Sequence, residues 1–234
     1  LDESNSWKLK VFRYTLKKYR ELNPDTYIIL VGHGGIIIPE DLIQYSDWYY
    51  WHHELIPNEI SWGHPECVNI AIQHCLEEGI DQIVKTRLDS IILRPRIVEY
   101  CFSEYELKKD SFAVTSFSDD YYALMDLFYA GQVNTLKKLY KYESWTNLWP
   151  DLPNKGGTVP MAFNYYNEIL GEKMPSKFIL KEWICALSKK VSLISPSEIR
   201  WLDLRKHSSL VSHESNDLII PDNSNLISNF FWHK

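Results

Sequence analysis

The sequence predicts an α/β fold, a mixed and mostly parallel sheet flanked by helices, with a Rossmann-like nucleotide-binding core in its first half. Three observations predict it. Residues 7–22 place Leu9, Val11, Phe12, Leu16 and Tyr19 at helical spacing with Lys and Arg opposite, and the β-rich run 27–31 follows, ending at Gly32-His33-Gly34-Gly35. A second amphipathic segment opens at Pro65, lines one face with Val68, Ala71, Ile72, Cys75 and Leu76, and closes at Gly79. It feeds the apolar run at Ile83-Val84, so strand, helix and strand succeed one another as in a parallel sheet with crossover helices.

The elements follow in order. The first helix stops at Asn23-Pro24, and Trp48-Tyr49-Tyr50-Trp51 reads as a strand. Arg96 to Tyr105 reads as helix, Phe112 to Phe117 as strand, Leu127-Phe128-Tyr129 as a short strand before Gly131, and Gln132 to Tyr140 as helix. Residues 143–160 turn to Trp, Asn, Pro and Gly, which is loop chemistry. Helical patterns return at Met161 to Leu170 and Lys177 to Lys189, and from Val191 the chain reads as irregular, with clustered Ser, Asn and His.

At 234 residues and 45% hydrophobic, the chain can bury one sizeable core and is read as a single domain spanning 1–234. A net charge of −6 argues against a nucleic-acid partner, which usually needs a basic domain. No run is long enough to span a bilayer. The expected setting is cytoplasmic, with a peripheral membrane association still allowed. Cys67, Cys75, Cys101 and Cys185 have neither zinc-ligand nor disulfide-framework spacing and are expected as reduced thiols. The loop Gly32-His33-Gly34-Gly35 lacks the G-K-[ST] of a P-loop and the G-x-G-x-x-G fingerprint, and no G-x-S-x-G elbow follows anywhere, so it is read as a tight turn.

Chemistry concentrates at Lys85-Thr86-Arg87-Leu88-Asp89-Ser90, directly after the apolar run. Ligands of open α/β sheets bind beyond strand ends, so a carboxylate with two cations there suits a metal ion or a phosphate-bearing ligand. The bland alternatives are a turn cap at Asp89 or a surface ion pair between Arg87 and Asp89.

The segment from Asn69 to Ile92, with Lys85, Arg87 and Asp89 in K-x-R-x-D spacing, resembles that of the WavE lipopolysaccharide-synthesis family and related GT-A glycosyltransferases. Met125-Asp126-Leu127-Phe128-Tyr129-Ala130-Gly131 is similar to the D-x-F-F-x-G segment such proteins carry later. The resemblance implies a GT-A-like fold that moves a sugar from a nucleotide-sugar donor to a glycan acceptor, with residues 1–118 as the donor half and 119–234 as the acceptor half and tail. It implies donor contacts from Lys85, Arg87, Asp89 and Asn69, and a divalent ion, Mn²⁺ or Mg²⁺, held by Asp89 with a late histidine, His207 or His213. Arg200, Arg205 and Lys206 are alternative sources of positive charge. One carboxylate stands where a full D-x-D has two. An acceptor hydroxyl needs a base; Asp126 and Glu182 are preferred over Asp119 and Asp120, and Tyr121, Tyr122, Trp145 and Trp149 suit stacking on a sugar face. A non-catalytic nucleotide- or glycan-binding domain on the same fold is the alternative, and an α/β hydrolase or phosphatase is weaker for want of a nucleophile motif.

Overall fold

The computed structural model describes residues 3–33, 38–52, 63–118, 123–124, 127–141 and 159–204. Its helices are α1 (Glu3–Leu22), α2 (Glu40–Ile43), α3 (Gly63–Glu77), α4 (Ile97–Glu104), α5 (Val133–Leu139), α6 (Val159–Asn164), which runs on as a π-helical turn over Tyr165–Leu170, and α7 (Leu180–Leu187). The strands are β1 (Ile29–His33), β2 (Trp48–His52), β3 (Gln82–Thr86), β4 (Ser90–Ile92), β5 (Phe112–Val114), β6 (Phe117–Ser118), β7 (Ala123–Leu124), β8 (Phe128–Gln132), β9 (Val191–Leu193) and β10 (Trp201–Asp203). The chain is mixed α/β.

The central sheet has the order β3-β8-β5-β9. β8 lies antiparallel to both β3 and β5, and β9 is parallel to β5, so three strands run one way and one is reversed. β1 and β2 pair in parallel, whereas β4–β10 and β6–β7 are antiparallel. The sheet is therefore less parallel than the helix and strand alternation predicts. The reason is the connection from β5 to β8, which carries only the β6–β7 hairpin among its described residues. A connection between parallel strands usually runs through a helix, and α4 provides one between β3 and β5, which run the same way on either side of β8. Two short strands, β9 and β10, stand within residues 191–204, where the sequence reads as irregular; the chain beyond 204 lies outside the described residues.

Both sheet faces are covered. In β8, Tyr129 packs with Phe112, Tyr165 and Trp183 on one side, while Phe128 and Ala130 pack with Ala113, Cys101 and Trp201 on the other. Runs such as Phe112-Ala113-Val114 are apolar throughout because a doubly covered strand has no wet face. Burying Phe112 and Phe128 stabilises the fold by roughly 1.5–3 kcal/mol each. Among the described residues, no helix is long and apolar enough to cross a membrane.

α1 buries Val11 and Leu16, as its spacing predicts, with Leu9, Phe12 and Tyr19 partly buried, and it also buries Thr15. Asn23 ends it and starts α4. Its backbone N–H donates to Tyr19 O at 2.9 Å, and its Oδ1 accepts the Ile97 N–H at 3.0 Å, satisfying an otherwise orphan donor at the start of α4. Arg20 and Asp47 tie α1 to the β1–β2 pair: Arg20 Nη2 donates to Asp47 Oδ2 at 2.6 Å, and the same oxygen accepts the Ile28 N–H at 2.6 Å. Within that pair Gly32 is in register with Trp51, and a Cβ on Gly32 would overlap Trp51 Cζ3. Only a residue without a side chain lets the indole lie there.

Two outcomes are expected from these contacts. Gly32→Ala should cost about 1–3 kcal/mol in urea unfolding by overpacking against the indole. Part of the loss should return in Gly32→Ala combined with Trp51→Val, and a double variant as unstable as the sum would remove Trp51 as the cause. Burial raises the Asp47 carboxyl, but the Ile28 N–H and Arg20 outweigh it and hold the group below its ordinary value of 3.8. Such a group contributes its stability fully above that value and loses it as pH falls through the lower folded value. Acid titration followed by circular dichroism should therefore show a smaller stability loss below about pH 4 in Asp47→Asn than in the parent chain.

Candidate functional site

β3 ends beside the other strand termini of the sheet. Thr86 pairs with Phe128 at the start of β8, and Val114 at the end of β5 pairs with Tyr129 and with Leu193 at the end of β9. The carboxyl ends of the three co-directional strands thus share one edge, the usual location of ligands in open α/β sheets. The chain turns there through Arg87, Leu88 and Asp89 before entering β4.

Each carbonyl of this turn has a donor. Arg87 O accepts the Ser90 N–H at 3.3 Å and Ser90 Oγ at 3.2 Å. Leu88 O accepts Thr15 Oγ1 at 3.1 Å, and Ser90 O accepts the Tyr19 hydroxyl at 3.2 Å. Asp89 O accepts the Leu204 N–H at 2.9 Å, just beyond the β4–β10 pairing in which Asp203 faces Ser90. The turn is held internally, by α1 and by the strand that closes the second small sheet. Burial pushes the Tyr19 phenol well above its ordinary range, so it stays an O–H donor.

On this support the Arg87 guanidinium grips the Asp89 carboxylate through two parallel bonds, Nε to Oδ1 at 3.0 Å and Nη2 to Oδ2 at 2.8 Å. Such forks fix geometry as well as adding energy. The arginine side chain is 35% exposed and the aspartate 18%, so both are partly open to solvent, the arginine more so. Lys85, two residues earlier, lies opposite Tyr129 with its ammonium 5.8 Å from the ring centroid. The ion pair that spacing alone allows is therefore present, and it sits on a braced strand-end turn.

The other expected residues fall elsewhere. The amide of Asn69, on α3, donates to Tyr140 O at 3.0 Å, where Asn164 Nδ2 also donates to Leu139 O at 2.7 Å and to Lys141 O at 3.3 Å. The two asparagines hold the end of α5. Glu182 is exposed on the first turn of α7, next to the fully buried Trp183. Arg200 is exposed in the turn before β10, with φ at 50°. Asp119, Asp120, Tyr121, Tyr122, Asp126, Trp145, Trp149, Arg205, Lys206, His207 and His213 lie outside the described residues. Thr15, Tyr19 and Leu204 are the supports that sequence spacing did not single out; Tyr19 reads only as one more residue on the apolar side of α1.

A divalent ion such as Mg²⁺ or Mn²⁺ needs several hard oxygen ligands in near-octahedral array. Both Asp89 oxygens already accept from a cation, and a second positive charge brought to them meets that guanidinium at short range. Among the described residues, no group of three or more His, Cys, Asp and Glu could hold a metal. The described residues of the turn, one carboxylate held by an arginine, do not by themselves make a divalent-ion site.

The support can be tested apart from activity. Thr15→Val and Tyr19→Phe should each lower stability by about 1 kcal/mol in urea titration. Combined, they should depart from additivity because both hold the same short turn. Strict additivity would mean that the turn is not a shared support.

Comparison with protein-family models, with curated proteins and with solved structures finds no match to this chain.

Proposed function

We propose that this chain is a glycosyltransferase with a GT-A-like fold, moving a sugar from a nucleotide-sugar donor to a glycan acceptor in surface polysaccharide or glycoconjugate synthesis. The observation that carries the reading is the braced Arg87–Asp89 turn at the carboxyl ends of β3, β5 and β9, with Lys85 beside it. A mixed sheet with one reversed strand is compatible with the fold the WavE-like segments imply, and those segments supply the likeness to the family.

The chemistry follows from charge. As the bond between sugar and phosphate breaks, negative charge grows on the departing diphosphate, and fixed cations at that point stabilise the transition state more than the ground state. Lys85 and Arg87 supply such cations. A base removes the proton from the acceptor hydroxyl as its oxygen attacks the sugar. Asp126 and Glu182 are the proposed acceptor-side carboxylates, and a cytoplasmic setting belongs to the same proposal.

A second reading, a nucleotide- or glycan-binding domain without turnover, is favoured by one observation: the turn's only carboxylate is engaged by Arg87. The two readings separate in an assay of the purified chain against a panel of nucleotide sugars with Mg²⁺, with Mn²⁺ and in EDTA, measuring nucleoside diphosphate released. Release from at least one donor is expected, and Arg87→Met should lower kcat by roughly 10²–10³-fold. Nucleotide binding without release from any donor would leave the binding domain as the better description.

A further inference from the structure

We infer that Arg87 and Lys85 hold the donor diphosphate directly, without a divalent ion, and that Asp89 is a positioning residue for Arg87. The inference rests on the donor-site reading above and deepens it.

Three observations point the same way. The fork engages both oxygens of Asp89, so the group expected to ligate a metal is already matched by a cation of the chain. The arginine side chain is partly open to solvent, 35% exposed against 18% for the aspartate, so a ligand in solvent can reach it. The turn is fixed on two sides, through Thr15 and Tyr19 of α1 and through Leu204 after β10, so the guanidinium is held before any ligand binds. Preorganised donors of this kind are worth most where charge develops, because nothing has to reorganise during the reaction.

An arginine oriented by a part-buried carboxylate also answers the anomaly of the single acidic residue. Arg87-Leu88-Asp89 and Asp89-Ser90-Ile91 each hold one carboxylate where a full D-x-D has two, and the arginine in the first brings positive charge to the turn. It presents planar donors suited to phosphate oxygens. The half-buried Lys85 ammonium, beside Tyr129 at the end of β3, adds a second positive charge at the same edge. Asp89 would then act through Arg87 and touch no substrate.

Isothermal titration of the full chain with UDP, GDP, ADP and dTDP, once in EDTA and once in MnCl₂, tests this directly. At least one nucleoside diphosphate should bind in EDTA with a Kd within about twofold of that in Mn²⁺, while Arg87→Met weakens it roughly tenfold or more, as loss of a charge-assisted hydrogen bond does. Asp89→Asn should weaken binding in EDTA in the parent chain but add nothing in the Arg87→Met background, a coupling that neither a metal ligand nor a simple turn cap would show. Circular dichroism checks that each variant folds. If Arg87→Met does not fold, Arg87→Lys, which keeps the charge and loses the fork, takes its place, with weaker binding again expected. Binding that requires Mn²⁺, or binding in EDTA indifferent to Arg87, overturns the inference and leaves the donor reading standing. Absence of binding under both conditions overturns the donor reading itself.

Discussion

Between Arg87 and Ser90 the chain leaves the central sheet and crosses to a second, smaller one, and every carbonyl oxygen it carries through that passage needs a donor. Poorly satisfied backbone in a part-buried turn is costly, so the donors decide whether the turn has one shape or many. One carbonyl is satisfied inside the turn, two by side chains of α1 more than sixty residues earlier, and one by Leu204 more than a hundred residues later. That convergence fixes where Arg87 and Asp89 can stand. The fork between them depends on the turn, and the electrostatic character of the site depends on the fork.

The core makes the convergence possible. β3, β8 and β5 alternate their side chains between two apolar layers, one built around Tyr129, Trp183 and Tyr165 and the other around Phe128 and Trp201. A sheet packed on both faces gives a rigid edge, and the strand-end turn inherits that rigidity. The small β4–β10 sheet then couples the end of the described chain to the turn. Val11 of α1 packs with Ile91, Leu202 and Leu204, so the helix that donates to the turn and the strand that donates to it share one apolar cluster. Polar support and apolar packing reinforce the same geometry.

Much of the first half was legible in sequence because its signals are local. The 3.6-residue pattern of α1 and α3 and the apolar run of β3 specify their own elements. What periodicity does not carry is pairing. β8 is read readily as a strand from Phe128-Tyr129, yet its reversed direction follows from the hairpin connection before it. β9 and β10 are three residues each, too short to show alternation, and they are strands because β5 and β4 offer ladders to them. At the site, Lys85, Arg87 and Asp89 were visible as residue types at a strand end. Their support was not, because Thr15 and Tyr19 carry no local mark of a contact with residues 88 and 90. Asn69 illustrates the converse: the resemblance implies a donor contact, while its amide is engaged in holding the end of α5.

The most direct test is a crystal structure of the chain soaked with the nucleoside diphosphate that binds it. The expected result is a β-phosphate within hydrogen-bond distance of the Arg87 guanidinium, with the two bonds to Asp89 intact and the turn unmoved. A diphosphate seated away from the strand-end edge, or an Asp89 carboxylate swung off Arg87 onto a metal ion, would contradict it.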